Sequence, residues 1–264
     1  FTEDNYQHRP EQGTPEILRV GLTDALLKMY GLGISDPYTF DFISPPSKQR
    51  FDVAFDELLA LGAIHADGNL TKIGFRMARL PLDAQIARMV IEAARLGCVD
   101  EIITVAAFLS SRDVFLRPKG EDKWRYYHTH KRRFKDATSD AVMYLKIWRE
   151  WERYGFSPEW CDWRYVSYRS MQEVKEIRRQ LLHIVSQQET ISTSDSKVAL
   201  QKAVAAGFIK NLLRREGNRY EGVLKRLRNV SIHPSSGISR RNPLFVVCAE
   251  VFKTSRTFAQ TVIE

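Results

Sequence analysis

Ala63-Ile64-His65-Ala66-Asp67-Gly68-Asn69-Leu70-Thr71 interrupts a helical pattern with a tight turn, and its reading decides the first part of the fold. Gly68 and Asn69 tolerate the positive φ that a short hairpin turn demands, and the apolar residues on either side suit two short strands. Upstream, Ser47 can cap a helix whose Phe51, Phe55 and Leu58 share one face and whose stop is Gly62. Before that, Thr14-Pro15-Glu16 reads as a cap, a proline at the first helical position and an acid in the first turn, followed by Leu18, Leu22, Ala25 and Met29 at helical spacing up to Gly31. Helix, helix and hairpin in succession are the layout of a winged helix.

Beyond Thr71 the pattern stays helical as far as Gln188. Ile86, Val90, Ala93 and Gly97 mark an amphipathic helix, whereas Asp100 to Ser110 is apolar on nearly every side and is expected at the centre of a bundle. Further helices are expected over Ala141 to Tyr154 and Ser170 to Gln187, with a corner at Pro158 and Trp160-Cys161 between them. A polar tract, Glu189 to Lys197, leads into a last helix, Val198 to Arg214. After Gly217 the period becomes that of strands: Val223 to Leu227, Val230 to Ile232, Leu244 to Phe252 and Thr257 to Ile263. Short strands with basic connections suit a small barrel of the OB type. The fold class is therefore mainly α with a small β-barrel.

Charge is distributed unevenly along the 264 residues. The chain carries a net +8, yet Lys197 to Arg256 alone holds thirteen Lys and Arg against three acids, so the remainder is slightly acidic. A concentrated positive field attracts polyanions, a nucleic-acid backbone above all. Cys98, Cys161 and Cys248 are odd in number and far apart, which fits reduced core thiols in a nuclear or cytoplasmic compartment. No apolar run reaches the ~20 residues a membrane-spanning helix needs. The opening Phe1-Thr2-Glu3, with no initiator Met and no apolar leader, reads as the start of a fragment of a longer protein.

Catalytic motifs are missing. No Gly-Lys-Ser or Gly-Lys-Thr occurs to cradle nucleotide phosphates, and no Gly-x-Ser-x-Gly elbow occurs for acyl chemistry. Asp100-Glu101 sits where acids complement the dipole at the start of the buried helix. His128-Thr129-His130 with Asp136 and Asp140 matches no strong metal-ligand spacing and reads as part of a basic loop. The fragment is expected to be no enzyme and to need no cofactor or metal.

Two segments carry a binding argument. Lys225-Arg226-Leu227-Arg228 runs through Ile232-His233-Pro234-Ser235-Ser236 to Arg240-Arg241. On a strand, Val230 and Ile232 face one way while Ser231 and His233 face the other, so hydroxyl and imidazole groups stand beside the cations. Such groups grip phosphate and 2′-OH without reading sequence. The second segment, Trp124 to Lys135, alternates aromatic and cationic residues, which serve either base stacking or the bundle core.

The ordered motifs resemble the C-terminal region of DEAH-box RNA helicases. They include Pro15-Glu16-Ile17-x-Arg19, Phe40-x-Phe42-x-x-Pro45-Pro46, Leu70-Thr71-x-x-Gly74-x-x-Met77-Ala78, Leu80-Pro81-Leu82-Asp83, Phe115-x-Arg117-Pro118, Gly207-Phe208-x-x-Asn211 and Ile232-His233-Pro234-Ser235-Ser236. The resemblance implies the end of a second motor domain or a linker over residues 1–13, a winged helix over 14–80, a helical ratchet bundle over 81–215 and an OB-fold over 216–264. It implies a lid that holds single-stranded RNA against motor domains, which use ATP and Mg²⁺ in the parent helicase, and a glycine-rich activator protein docking near the OB-fold. It also places His233, Ser235 and Ser236 near the RNA, and Arg169 with Ser170 at the start of the ratchet helix that faces the strand. Where many members have Gly-Asp-His, this chain has Ser139-Asp140-Ala141, and Asp140 is expected to cap the helix that follows. Two rival readings are a protein-interaction platform that does not bind RNA in isolation and a winged-helix DNA-binding regulator. Asp52, Asp56 and Glu57 on the second helix argue against the latter, because they would repel a major groove.

Overall fold

The structure, a computed structural model, describes residues 21–34, 36–116, 120, 133–224, 227–254 and 256–264. The expected cap at Thr14, most of the 117–135 loop with His128 and His130, and the cations Lys225 and Arg226 lie outside the described residues. The chain divides into two compact units, residues 1–79 and 80–264.

In the first unit, α1 (Leu22–Gly31), α2 (Lys48–Ala60) and α3 (Lys72–Ala78) surround a core of Leu26, Leu27, Leu58 and Met77. The expected hairpin forms as a single antiparallel bridge, Ile64 to Leu70. Its turn is fixed by Asp67, whose carboxylate accepts the Asn69 backbone N–H at 3.0 Å, and by Gly68 at φ 86°. Thr71 then caps α3 by accepting the Gly74 N–H at 2.9 Å. Gly74 must be glycine, since a Cβ there would lie 1.9 Å from the Ala63 carbonyl oxygen. On α2, Asp52 accepts the Tyr38 hydroxyl at 3.0 Å and Glu57 accepts that of Thr23 at 2.9 Å. Two of the three acids that disfavour a DNA groove are thus engaged within the unit.

The second unit begins with α4 (Ala84–Leu96), which ends at Gly97 in the left-handed region, and α5 (Val99–Ser110), buried from Glu101 to Phe108 as its all-apolar pattern predicts. The acids at the start of α5 are tied to other helices. Asp100 pairs with Arg178 at 2.6 Å, and buried Glu101 accepts from Arg149 at 3.4 Å. Among the described residues, four more α-helices follow: α6 (Asp140–Arg153), α7 (Pro158–Arg164), α8 (Tyr168–Ser186) and α9 (Lys197–Gly207). The corner expected at Pro158 is thus a short helix, because Ser157 caps it and proline is tolerated in its first turn. Buried Glu150 accepts from Trp160 at 3.1 Å, Arg164 at 2.7 Å and Arg133 at 2.7 Å, tying α6 and α7 to the end of the preceding loop. Phe134 is buried and packs edge-on against Trp160, so this residue of the aromatic segment belongs to the core.

The last helix stops at Gly207, well before the expected Arg214. Leu212 and Leu213, which continue its apolar spacing, instead open the barrel, where Leu213 is fully buried. The strands are β1 (Leu212–Glu216), β2 (Arg219–Gly222), β3 (Val230–Ile232), β4 (Phe245–Lys253) and β5 (Thr257–Ile263). They close in the order β1-β2-β3-β5-β4, antiparallel except for the β3–β5 pair. Of the strand expected over Val223 to Leu227, the described residues Val223, Leu224 and Leu227 are not in a strand; Gly222 ends β2, and Val223 and Leu224 are exposed. Leu213, Tyr220, Val230, Ile238, Val246, Cys248, Ala259 and Val262 fill the barrel.

Asp140 does not cap α6. Its buried carboxylate accepts backbone N–H groups of the barrel, from Gly237 at 2.8 Å and Val262 at 2.9 Å. Around it, Lys135 donates to the Ser236 carbonyl at 2.9 Å, the Glu264 N–H donates to the Thr138 carbonyl at 3.0 Å, and Ser139 bridges Ile263. The segment leading into α6 is thereby stitched to one end of the barrel.

Candidate nucleic-acid interface

The barrel register builds a row across four strands. Val230 and Ala259 point inward, so Ser231 and its β5 partner Phe258 point outward, as does Phe252, which pairs with Phe258 from β4. On the other side of Ser231, Arg219 of β2 donates from Nη1 to the Ser231 hydroxyl. A cation, a hydroxyl and two aromatic rings therefore lie side by side on the outer surface. The Phe252 and Phe258 ring centroids are 5.9 Å apart and tilted by 34°.

His233 extends this row. Its ring lies 5.4 Å from Phe258 and 5.8 Å from Phe252, and its Nδ1 is 2.6 Å from the Ser235 hydroxyl. Because Nδ1 also accepts the Ser235 backbone N–H at 3.2 Å, the neutral ring carries its proton on Nε2, where it can donate. Lys253 follows Phe252, Arg256 precedes β5 and Arg228 lies shortly before β3, all exposed. Among the described residues these three side chains have no ion-pair partner. Such a face can stack bases on the phenylalanines and hold phosphates with the flanking cations.

The residues expected from the sequence fall into several settings. His233 and Ser235 come together in the row, and Arg228 and Arg240 are exposed. Ser236 is buried, and its hydroxyl accepts the Ile238 N–H at 3.2 Å to cap the turn over Gly237–Arg240. Arg241 pairs with Glu264 at 3.3 Å. At the start of α8, Arg169 is exposed, while the hydroxyl of Ser170 is buried between Ser167 Oγ at 3.1 Å and the Asp113 carbonyl at 3.4 Å. Elsewhere in the basic region, Lys197 is held by Asp136 at 2.7 Å and Arg214 by Glu216 at 2.5 Å. Arg219, Phe252 and Phe258 were not singled out from the sequence. Alternation along β4 and β5 could have put both rings outside, but only the β3–β5 register puts them beside Ser231.

Burial pushes the thiol of Cys98 up to about 11 and that of Cys161 up to about 12, which makes both poor nucleophiles. Among the described residues, no group of three His, Cys, Asp or Glu side chains could hold a metal ion, and no helix is long and apolar enough to cross a membrane.

Three protein-family models match the chain in order. They are the helicase-associated (HA2) winged-helix domain over residues 54–82, the ratchet-like HA2 domain over 83–144 and the oligonucleotide/oligosaccharide-binding (OB) fold over 200–264. The chain is a helicase-associated region of the accessory kind, distinct from a motor. More particularly, winged helix, ratchet and OB-fold follow one another as the domains of a helicase-associated C-terminal region.

Proposed function

We propose that this region grips a single RNA strand on the outer face of the barrel while motor domains of the parent helicase hydrolyse ATP and move the strand. The row from Arg219 through Ser231 and Phe258 to Phe252, extended by His233, carries this reading. Aromatic faces accept any base, and hydroxyl and imidazole donors suit phosphate or 2′-OH, so the grip is tolerant of sequence, as a translocating enzyme requires. ATP and Mg²⁺ would be handled by the motor domains, and no residue of this chain is assigned to them. The motor domains in cis and a glycine-rich activator at the barrel are the protein partners that accompany this reading.

Photocrosslinking tests the placement. A 4-thiouridine-containing oligouridylate irradiated with the chain should give adducts on peptides containing Phe252, Phe258 or His233. Adducts confined to the winged helix, with none on the barrel, would overturn the assignment.

A further inference from the structure

A cleft of about 540 Å³ opens in the second unit between the start of α4, the end of α5 with the segment after it, α6, and strands β4 and β5. Its chemistry is opposite to that of the barrel row. Asp83, Asp113 and Glu250 line it against one cation, Arg112, in a chain whose net charge is +8. Among the described residues, neither the Asp83 nor the Glu250 carboxylate has a hydrogen-bonding or ion-pair partner. The carboxylates do not converge as metal ligands would. Between them the wall is aromatic: Phe108 stacks on Tyr144 with centroids 4.8 Å apart, and Phe115 also lines the cleft. The Tyr144 hydroxyl is pushed up to about 12, chiefly by burial, with the hydrogen bond to Thr261 opposing and the charges of Asp140, Asp113 and Glu250 adding to the rise.

We propose that this cleft receives an arginine side chain from a protein partner. A phosphate would meet three carboxylates, so the charge disfavours RNA here. A guanidinium fits on two counts: its planar fork pairs with carboxylates and its faces lie against aromatic rings, whereas an ammonium matches only the charge. The volume lies within the range of ordinary ligand sites and exceeds what one side chain fills, which leaves room for the adjoining backbone. The cleft adjoins the barrel row, because Glu250 and Gln260 form the outward pair next to Phe252 and Phe258.

The test uses the intact chain and two small probes, L-argininamide and L-lysinamide, followed by amide chemical shifts. Argininamide should shift the resonances of Phe115, Ala249 and Thr261 saturably and bind more tightly than lysinamide. The double variant Asp83→Asn with Glu250→Gln should weaken argininamide at least about fivefold, as expected for losing charge-assisted hydrogen bonds. Oligouridylate affinity, measured in parallel, should not fall in that variant, which distinguishes this site from the RNA reading. Equal binding of the two probes, unaltered binding to the double variant, or a loss of oligouridylate affinity in that variant would each overturn the proposal.

Discussion

The Asp140 carboxylate accepts the backbone N–H of Val262 at 2.9 Å, a side chain at the start of a bundle helix satisfying a strand of the barrel. Its other oxygen accepts the Gly237 N–H, so one residue closes two buried donors at the joint. Replacing it with alanine leaves both unpaired, which costs about 1–3 kcal/mol for each group. Asp140→Ala should therefore lower the urea midpoint substantially and raise amide exchange at Gly237 and Val262 well before the centre of α5 exchanges. Unchanged exchange at those two amides would refute the role of the contact.

Gly237 reinforces the same joint through its lack of a side chain, because a Cβ there would stand 2.0 Å from the Asp136 carbonyl oxygen. Neither backbone is a flexible tip that can yield. Gly237→Ala should cost about 2 kcal/mol or more through this overlap, read as a lower thermal midpoint, whereas Gly21→Ala, whose added Cβ would meet nothing closer than 3.7 Å, should cost less.

Acid should loosen the second unit. For Asp136, burial alone raises the carboxyl, but hydrogen bonds from Lys197, Thr138 and Lys146 outweigh it and hold the group well below the usual range. Glu150 behaves likewise, with burial opposed and exceeded by Arg133, Arg164 and Trp160. A depressed folded-state pKa contributes stability that is present above the unfolded value, about 4 for such groups, and is lost as pH falls through the folded value. Urea midpoints should thus hold between pH 7 and 5 and fall below about pH 4. In Asp136→Asn the acid-side decline should be shallower.

The winged-helix turn was legible because Gly68 and Asn69 constrain a local conformation, and the buried α5 because no polar face interrupts it. The barrel's first strand was not legible. Leu212 and Leu213 continue the helical spacing of α9, and only the barrel core that buries Leu213 decides for strand. Asp140 was expected to cap because aspartate is a common cap residue and the resemblance puts it at the head of α6, while its acceptance of Gly237 and Val262 spans a sequence distance that no local pattern reports. The basic excess pointed to the segment that holds the barrel row, but not to the row's members. Ion pairs occupy Lys197, Arg214 and Arg241, and the phenylalanines that complete the row carry no charge signal.

The barrel row predicts separable effects of aromatic and cationic substitutions. Phe258→Ala should weaken a fluorescent oligouridylate about tenfold, the order of one lost base stack. Arg219→Gln should instead reduce the salt dependence of binding by about one phosphate contact. Anisotropy titrations of both variants check this, and identical changes in affinity and salt slope for the two would contradict the division of roles.

The most direct measurement is the salt dependence of oligouridylate binding to the unaltered chain. With Arg219, Arg228, Lys253 and Arg256 on phosphates, a plot of log affinity against log salt should fall with a slope of about −3. A flat plot, or a slope that survives neutralising all four side chains, would contradict the claim that this face of the barrel holds the strand.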